Sequence, residues 1–180
     1  MRREKMRMFD LVLAALLVSI GAILHAVFPG ILGGMRPDFS LVMLFVVLLI
    51  VPDKRIGFIT GVTTGIVTAM TTTFPMGQIP NIVDKLVTTF VVMALVKALP
   101  RIALVPVTGI VGTLVSGITF LTTAAVIAGL PSSFTALLTA VVLPATILNT
   151  AALIILYPVM SKLYSMQRVS SPVTHTPVNK

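Results

Sequence analysis

The chain has 180 residues, of which 57% are hydrophobic and only 10% are charged. Soluble domains are typically about a quarter charged, so this chain lacks the polar surface that water requires, and its surroundings must be lipid. The net charge of +8 does not indicate a nucleic-acid binder, because the basic residues lie between hydrophobic runs and not on one soluble face. The absence of cysteine excludes disulfides, thiolate catalysis and the usual zinc sites, and nothing in the sequence indicates a metal or a cofactor.

Apolar runs long enough to approach the thickness of a bilayer recur six times along the chain. A membrane core of about 30 Å needs roughly 20 apolar residues in a helix. The predicted spans cover residues 9–28, 38–51, 56–73, 81–99, 103–128 and 134–164. The second is short for a full span, and the sixth is long enough to project beyond the membrane. We therefore predict an all-α integral membrane protein, with six transmembrane helices in residues 1–165 and a polar, disordered tail in 166–180.

The basic residues predict how these helices are oriented. If both termini are cytoplasmic, only Arg36 and Lys85 lie outside, so 11 of the 13 Lys and Arg residues lie on the inner side. Basic residues concentrate on the cytoplasmic side of membrane proteins, and we therefore predict cytoplasmic termini. No A-x-A-type cleavage site follows the first apolar run, so we interpret it as a retained span and not as a signal peptide.

Two predicted outer loops concentrate the remaining polar residues. The loop over residues 28–39 carries Arg36 and Asp38, and the one over 74–85 carries Asp84 and Lys85. One cation and one carboxylate in each loop suit a zwitterion, because an unpaired charge is costly to bury. Arg36 or Lys85 could bind a carboxylate, and Asp38 or Asp84 an ammonium. The other predicted contacts of this substrate site are Met35, Phe39, Phe74, Gln78, Asn81 and Asn149.

Charges beside a membrane are often merely solvated, and this is the alternative interpretation of both loops. Asp84 and Lys85, however, lie three or four residues inside the predicted fourth span. Ionisable groups are expensive at that depth and are functional by default. We therefore favour a binding site.

Small residues recur at helical spacing along the first span, at Ala15, Ser19, Ala22 and Ala26. Small side chains allow helices to approach closely in a membrane. The stripe is explained either by packing within the monomer or by docking of a separate partner protein.

Four segments resemble the bacterial tryptophan-transport membrane protein family (TrpP-like). They are residues 32–38 (LGGMRPD) and 74–85 (FPMGQIPNIVDK) in the outer loops, 141–150 (VVLPATILNT) in the sixth span and 20–25 (IGAILH) in the first. The resemblance covers about residues 8–160. It implies uptake of L-tryptophan at the bacterial cell membrane by a protein that is not an enzyme.

Proteins of this family are similar to the substrate-binding components of energy-coupling factor transporters. That similarity implies a six-helix protein that holds its substrate near the outer surface. It also implies a transmembrane coupling protein and two ATPase subunits as partners, with the Ala15–Ala26 stripe as the docking surface. The chain has no G-x-x-x-x-G-K-[ST] motif, so ATP hydrolysis would belong to a partner.

Other functions remain open at this point. The same architecture would suit a vitamin or another aromatic metabolite. A self-sufficient secondary carrier would need polar groups through the membrane, where only His25 and Asn149 lie. A scaffold would bind no ligand, and a membrane enzyme would need a nucleophile–base pair, paired internal carboxylates or metal ligands, none of which forms a recognisable motif.

Overall fold

The computed structural model describes residues 8–28 and 37–169, which are helical almost throughout. The last three helical elements run on without a break, so this part of the chain forms six helical rods, as predicted. The rod that begins at Phe134 ends at Val169, beyond the predicted end at residue 164. Residues 170–180 of the predicted tail lie outside the described residues. The elements are α1 (Met8–Val27), α2 (Phe39–Ile50), α3 (Lys54–Thr71), α4 (Gln78–Ala98), α5 (Arg101–Ile127), α6 (Phe134–Leu137), a π-helical turn (Leu138–Val142) and α7 (Leu143–Val169).

The length and composition of the rods are those of a membrane protein. Four are long and apolar enough to cross a bilayer: α1, α4, α5 and the continuous rod Phe134–Gln167. The other two are α3, which has 18 residues and begins with Lys54 and Arg55, and α2, which has only 12. We call the end of the bundle where α2 and α4 begin the outer end. The opposite, inner end carries Lys54, Arg55, Lys97 and Arg101, as expected of the cytoplasmic side.

The short helix α2 lies at the centre of the bundle. Residues 39–48 are buried without exception, and α2 contacts α1, α3, α4, α5 and α7. At a rise of 1.5 Å per residue, α2 is about 18 Å long, whereas the core of a bilayer is about 30 Å thick. Because α2 is too short to cross the bilayer core and is surrounded by longer helices, space is left beyond both of its ends. A cavity lies at each end.

Glycines allow two neighbours to pack directly against α2. A Cβ atom at Gly112 of α5 would lie 2.6 Å from Cζ of the Phe45 ring. A Cβ atom at Gly21 of α1 would lie 2.9 Å from the carbonyl oxygen of Phe39. Any larger residue would push these helices apart, so the close packing of the bundle depends on both glycines.

Pro144 explains the π-helical turn in the last rod. Proline has no N–H, so the carbonyl four residues before it receives no α-helical hydrogen bond. The turn Leu138–Val142, which ends two residues before Pro144, is wider than an α-helix, and such turns are frequent at functional sites. Here the turn brings Val141 and Val142 to the wall of the outer cavity.

Candidate functional site

Three ionisable side chains, two of them buried, form a cluster at the outer end. Lys85 Nζ lies 3.0 Å from Asp84 Oδ1 and 3.3 Å from Asp38 Oδ2. The Asp84 and Lys85 side chains are each 2% exposed, whereas that of Asp38 is 28% exposed. Two carboxylates and one ammonium leave an excess of one negative charge. The cluster therefore favours the approach of a cation from the exposed side.

Asp38 is fixed by contacts with three helices. Its carboxylate caps the N-terminus of α2 by accepting a hydrogen bond from the backbone N–H of Leu41 at 3.0 Å, as Asp commonly does. Its own backbone N–H donates to Asn149 Oδ1 of α7 at 2.7 Å. His25 Nδ1 of α1 lies 3.8 Å from its carboxylate. These contacts hold the Asp38 carboxylate beside Lys85.

Helix α5 supplies polar groups that the sequence analysis did not identify. The Ser116 hydroxyl donates to Asp84 Oδ1 at 3.1 Å, and Thr113 Oγ1 accepts a hydrogen bond from Asn149 at 3.4 Å. Thr113, Ser116 and Phe120 share one face of the helix, because they are spaced by three and four residues. That spacing is the signal in the sequence that could have identified this wall of the site.

A cavity of about 370 Å³ lies beside the cluster, within the range of roughly 300–1,000 Å³ that is usual for small-molecule sites. Its apolar wall includes Phe74 and Phe120, whose rings meet edge to face with centroids 5.2 Å apart. The chain contains no tryptophan, so phenylalanine provides these aromatic contacts. The polar lining of the cavity is the ion cluster together with Asn81 and Asn149. The cavity thus has one apolar and one charged wall, as an amphipathic small molecule requires.

The structure brings together six of the ten substrate-site residues predicted from the sequence. Phe39 and Gln78 do not line the cavity: Phe39 is buried with its ring against Phe28, and Gln78 is exposed at the start of α4. Met35 and Arg36 lie outside the described residues. The six that line the cavity are Asp38, Phe74, Asn81, Asp84, Lys85 and Asn149.

The described part of the chain holds no group of three or more His, Cys, Asp or Glu side chains placed to bind a metal. A helical membrane bundle with a ligand-sized cavity at one end has the architecture of a membrane protein that binds or carries a small molecule.

Comparison with known proteins identifies the family. Residues 7–165 match the family described as "Tryptophan transporter TrpP", and the chain belongs to that family, as its motifs indicated. It is 44% identical over 158 residues to a probable tryptophan transport protein of Bacillus subtilis (strain 168), which covers 86% of this chain and 92% of the relative. A protein of the same description from Clostridium acetobutylicum is 42% identical over 163 residues, covering 88% and 95%. No solved structure matches the chain. The family and the apolar helices make this a multi-pass protein of the bacterial membrane.

Proposed function

We propose that this protein takes up L-tryptophan, binding it in the outer cavity as the substrate-binding component of an ATP-driven energy-coupling factor system. The observation that carries the proposal is the cluster of Asp38, Asp84 and Lys85 beside a partly apolar cavity at the outer end. Membership of a tryptophan transporter family supports the choice of substrate.

The ammonium of the amino acid is the group that the cluster lacks. Asp38 and Asp84 share a single lysine, and a buried charge without a partner is costly. A substrate ammonium placed between the two carboxylates brings the cluster to neutrality without breaking the contacts of Lys85. The polar wall therefore recognises the α-amino group first.

The indole ring suits the apolar wall. A buried aromatic ring removes about 150–250 Å² from water, and an edge-to-face pair adds about 0.5–1.5 kcal/mol. Phe74 and Phe120 already meet edge to face on this wall, so the indole extends an existing aromatic contact. The remaining wall residues near it, such as Leu121 and Val142, are aliphatic.

The carboxylate requires a cation other than Lys85, which two acids already share. Arg36 precedes Asp38 by two residues in the sequence, and a guanidinium binds a carboxylate through two parallel hydrogen bonds. We assign the carboxylate to Arg36, and we keep the neighbouring Met35 as a predicted contact of the substrate.

Titration of the detergent-purified protein with L-tryptophan tests this site. The chain has no tryptophan, so indole fluorescence reports the ligand alone. Asp84→Asn leaves Asp38 paired with Lys85 and removes the negative excess, and we expect it to weaken binding at least tenfold. The matched control is Asp53→Asn, because Asp53 caps α3 at the inner end and does not line the outer cavity.

Analogues separate the two charged contacts. Tryptamine keeps the ammonium and should bind better than indole-3-propionate, which lacks it.

Unchanged affinity in both Asp84→Asn and Asp38→Asn would contradict the assignment of the cluster. Displacement of tryptophan by a vitamin would keep the site and change the substrate.

The exposed face of α1 supports docking of a coupling protein. Ala15, Ser19 and Ala26 are exposed and Ala22 is half-buried, while the opposite face of α1 packs into the bundle. The hydroxyl of Ser19 donates to the carbonyl of Ala15, so it adds little polarity to the surface. The stripe is therefore a smooth surface of small residues, against which a partner helix can pack closely.

The double variant Ala15→Leu/Ala26→Leu tests the docking surface. It should abolish ATP-dependent tryptophan uptake by cells and leave tryptophan binding by the purified protein unchanged. Ile20→Leu, at an exposed position off the stripe, is the control. Uptake that survives ATP depletion and stops when the proton gradient collapses would indicate a secondary carrier instead.

A further inference from the structure

A second cavity, of about 590 Å³, lies at the inner end of the bundle beyond the last residues of α2. The uptake function proposed above does not use it. Its deeper lining is apolar and includes Leu48 and Met93. Its rim carries three exposed cations, one each from the inner ends of α3, α4 and α5: Lys54, Lys97 and Arg101.

Among the described residues, the positive charge of this rim is not balanced. Asp53 is the one carboxylate that these residues contribute to the cavity lining, and it accepts a hydrogen bond from the backbone N–H of Arg55 at 2.9 Å to cap α3. Within residues 8–28 and 37–169, no carboxylate lies within ion-pair distance of Lys54, Lys97 or Arg101. The inner cavity therefore favours an anion.

We infer that the inner cavity binds the phosphate of an anionic phospholipid from the cytoplasmic leaflet. The cations lie at the ends of the helices, where headgroups lie, and the apolar lining lies deeper, where the glycerol and acyl chains lie. Basic pockets between transmembrane helices on the cytoplasmic side bind such headgroups. Inorganic phosphate shares the charge of the headgroup and lacks the apolar part that Leu48 and Met93 would contact.

Polar groups at the rim add to the anion site. Helix α5 begins at Arg101, and its N-cap residue Pro100 makes no side-chain capping bond. Free backbone N–H groups in the first turn of a helix attract anions; in α5 the N–H of Ala103 already donates to the carbonyl of Pro100 at 3.1 Å, which leaves those of Arg101 and Ile102. Tyr157 and Ser161 of α7 line the same cavity with hydroxyl groups. The three cations, the start of α5 and these two hydroxyl-bearing residues thus all belong to the lining of one cavity.

Native mass spectrometry of the delipidated full chain tests the inference. The probes are dioleoyl-phosphatidylglycerol, dioleoyl-phosphatidylcholine and inorganic phosphate. We expect phosphatidylglycerol to bind at least tenfold more tightly than phosphatidylcholine and the double variant Lys97→Gln/Arg101→Gln to lose that preference. Lys162→Gln is the matched control, because Lys162 is exposed on α7 and does not line the cavity.

A second double variant tests whether the loss of lipid preference comes from the lost charges or from a general loss of structure. Lys97→Arg/Arg101→Lys keeps both charges and should keep the preference for phosphatidylglycerol. Equal binding of the two lipids, or an equal loss in Lys162→Gln, would overturn the inference. Displacement of the lipid by inorganic phosphate would make this a free-anion site. A fall in tryptophan stoichiometry in Lys97→Gln/Arg101→Gln would make it a second tryptophan site and would also overturn the lipid assignment.

Discussion

Lys85 is the cation that allows Asp38 and Asp84 to lie together at the outer end. Lys85→Met keeps most of the side-chain volume and leaves the two carboxylates without their cation. Removing one partner of a buried ion pair costs about 3–5 kcal/mol, so we expect a large fall in the melting temperature of the purified protein. Adding Asp84→Asn to the same chain removes one of the two negative charges and should recover part of the loss.

The control for this prediction is Lys162→Met, which changes an exposed lysine at the inner end and should leave the melting temperature almost unchanged. If Lys85→Met melted like the unmodified protein, the cluster would not be a buried ion pair. If the double variant were no more stable than Lys85→Met, repulsion between the carboxylates would not be the cause.

At this scale the sequence indicates charged groups more readily than neutral ones. Asp84 and Lys85 are conspicuous in an apolar span, because few reasons other than function place ionisable groups there. Ser116 attracts no such notice, because a serine in a membrane helix usually bonds its own backbone. Its contact with Asp84 joins residues 32 positions apart on different helices, and no local pattern encodes that pairing.

Among the helical elements, the π-helical turn is the one whose effect on the binding site can be tested without changing the rest of the fold. Pro144→Ala restores the missing N–H, so the turn Leu138–Val142 can relax to an α-helix and move the wall residues Val141 and Val142. Because proline inside a helix is itself destabilising, we expect an unchanged or higher melting temperature. Tryptophan affinity, measured by ligand fluorescence, should fall several-fold.

Pro158→Ala is the matched control for Pro144→Ala. Pro158 lies in the same rod, in α7, and does not line the outer cavity. An equal loss of affinity in both variants would mean that the rod as a whole, and not the turn, shapes the site.

For helix α2, the sequence predicted where the helix begins and ends but not where it lies in the bundle. The predicted span at residues 38–51 agrees with the observed helix, because a run of apolar residues bounded by Asp38 and Pro52 has clear ends. Its central position was not predicted. Because α2 is apolar on every face, its sequence does not show whether a face contacts lipid or another helix. The same residues would therefore suit a helix at the edge of the bundle or one at its centre.

The orientation of the whole molecule in the membrane is predicted from charge and is testable directly. The chain has no cysteine, so single cysteines can be introduced without a background. Ser132→Cys lies in the exposed connection between α5 and α6, and Met166→Cys lies near the other end of the last rod. A membrane-impermeant maleimide should label the first on intact cells and the second only after permeabilisation.

Reversed labelling would place the Asp38–Asp84–Lys85 cluster on the cytoplasmic side. The outer cavity would then face the cell interior, and uptake through it would be contradicted, whereas the helical bundle itself would be unaffected.

The aromatic wall of the outer cavity consists of phenylalanine, in a chain with no tryptophan at all. Under the proposed function, this composition affects what synthesis of the protein requires. A cell that has exhausted tryptophan lacks the charged tRNA that tryptophan codons require, and ribosomes stall at them. The message for this chain contains no such codon. Translation of this chain therefore consumes none of the amino acid that it is proposed to take up.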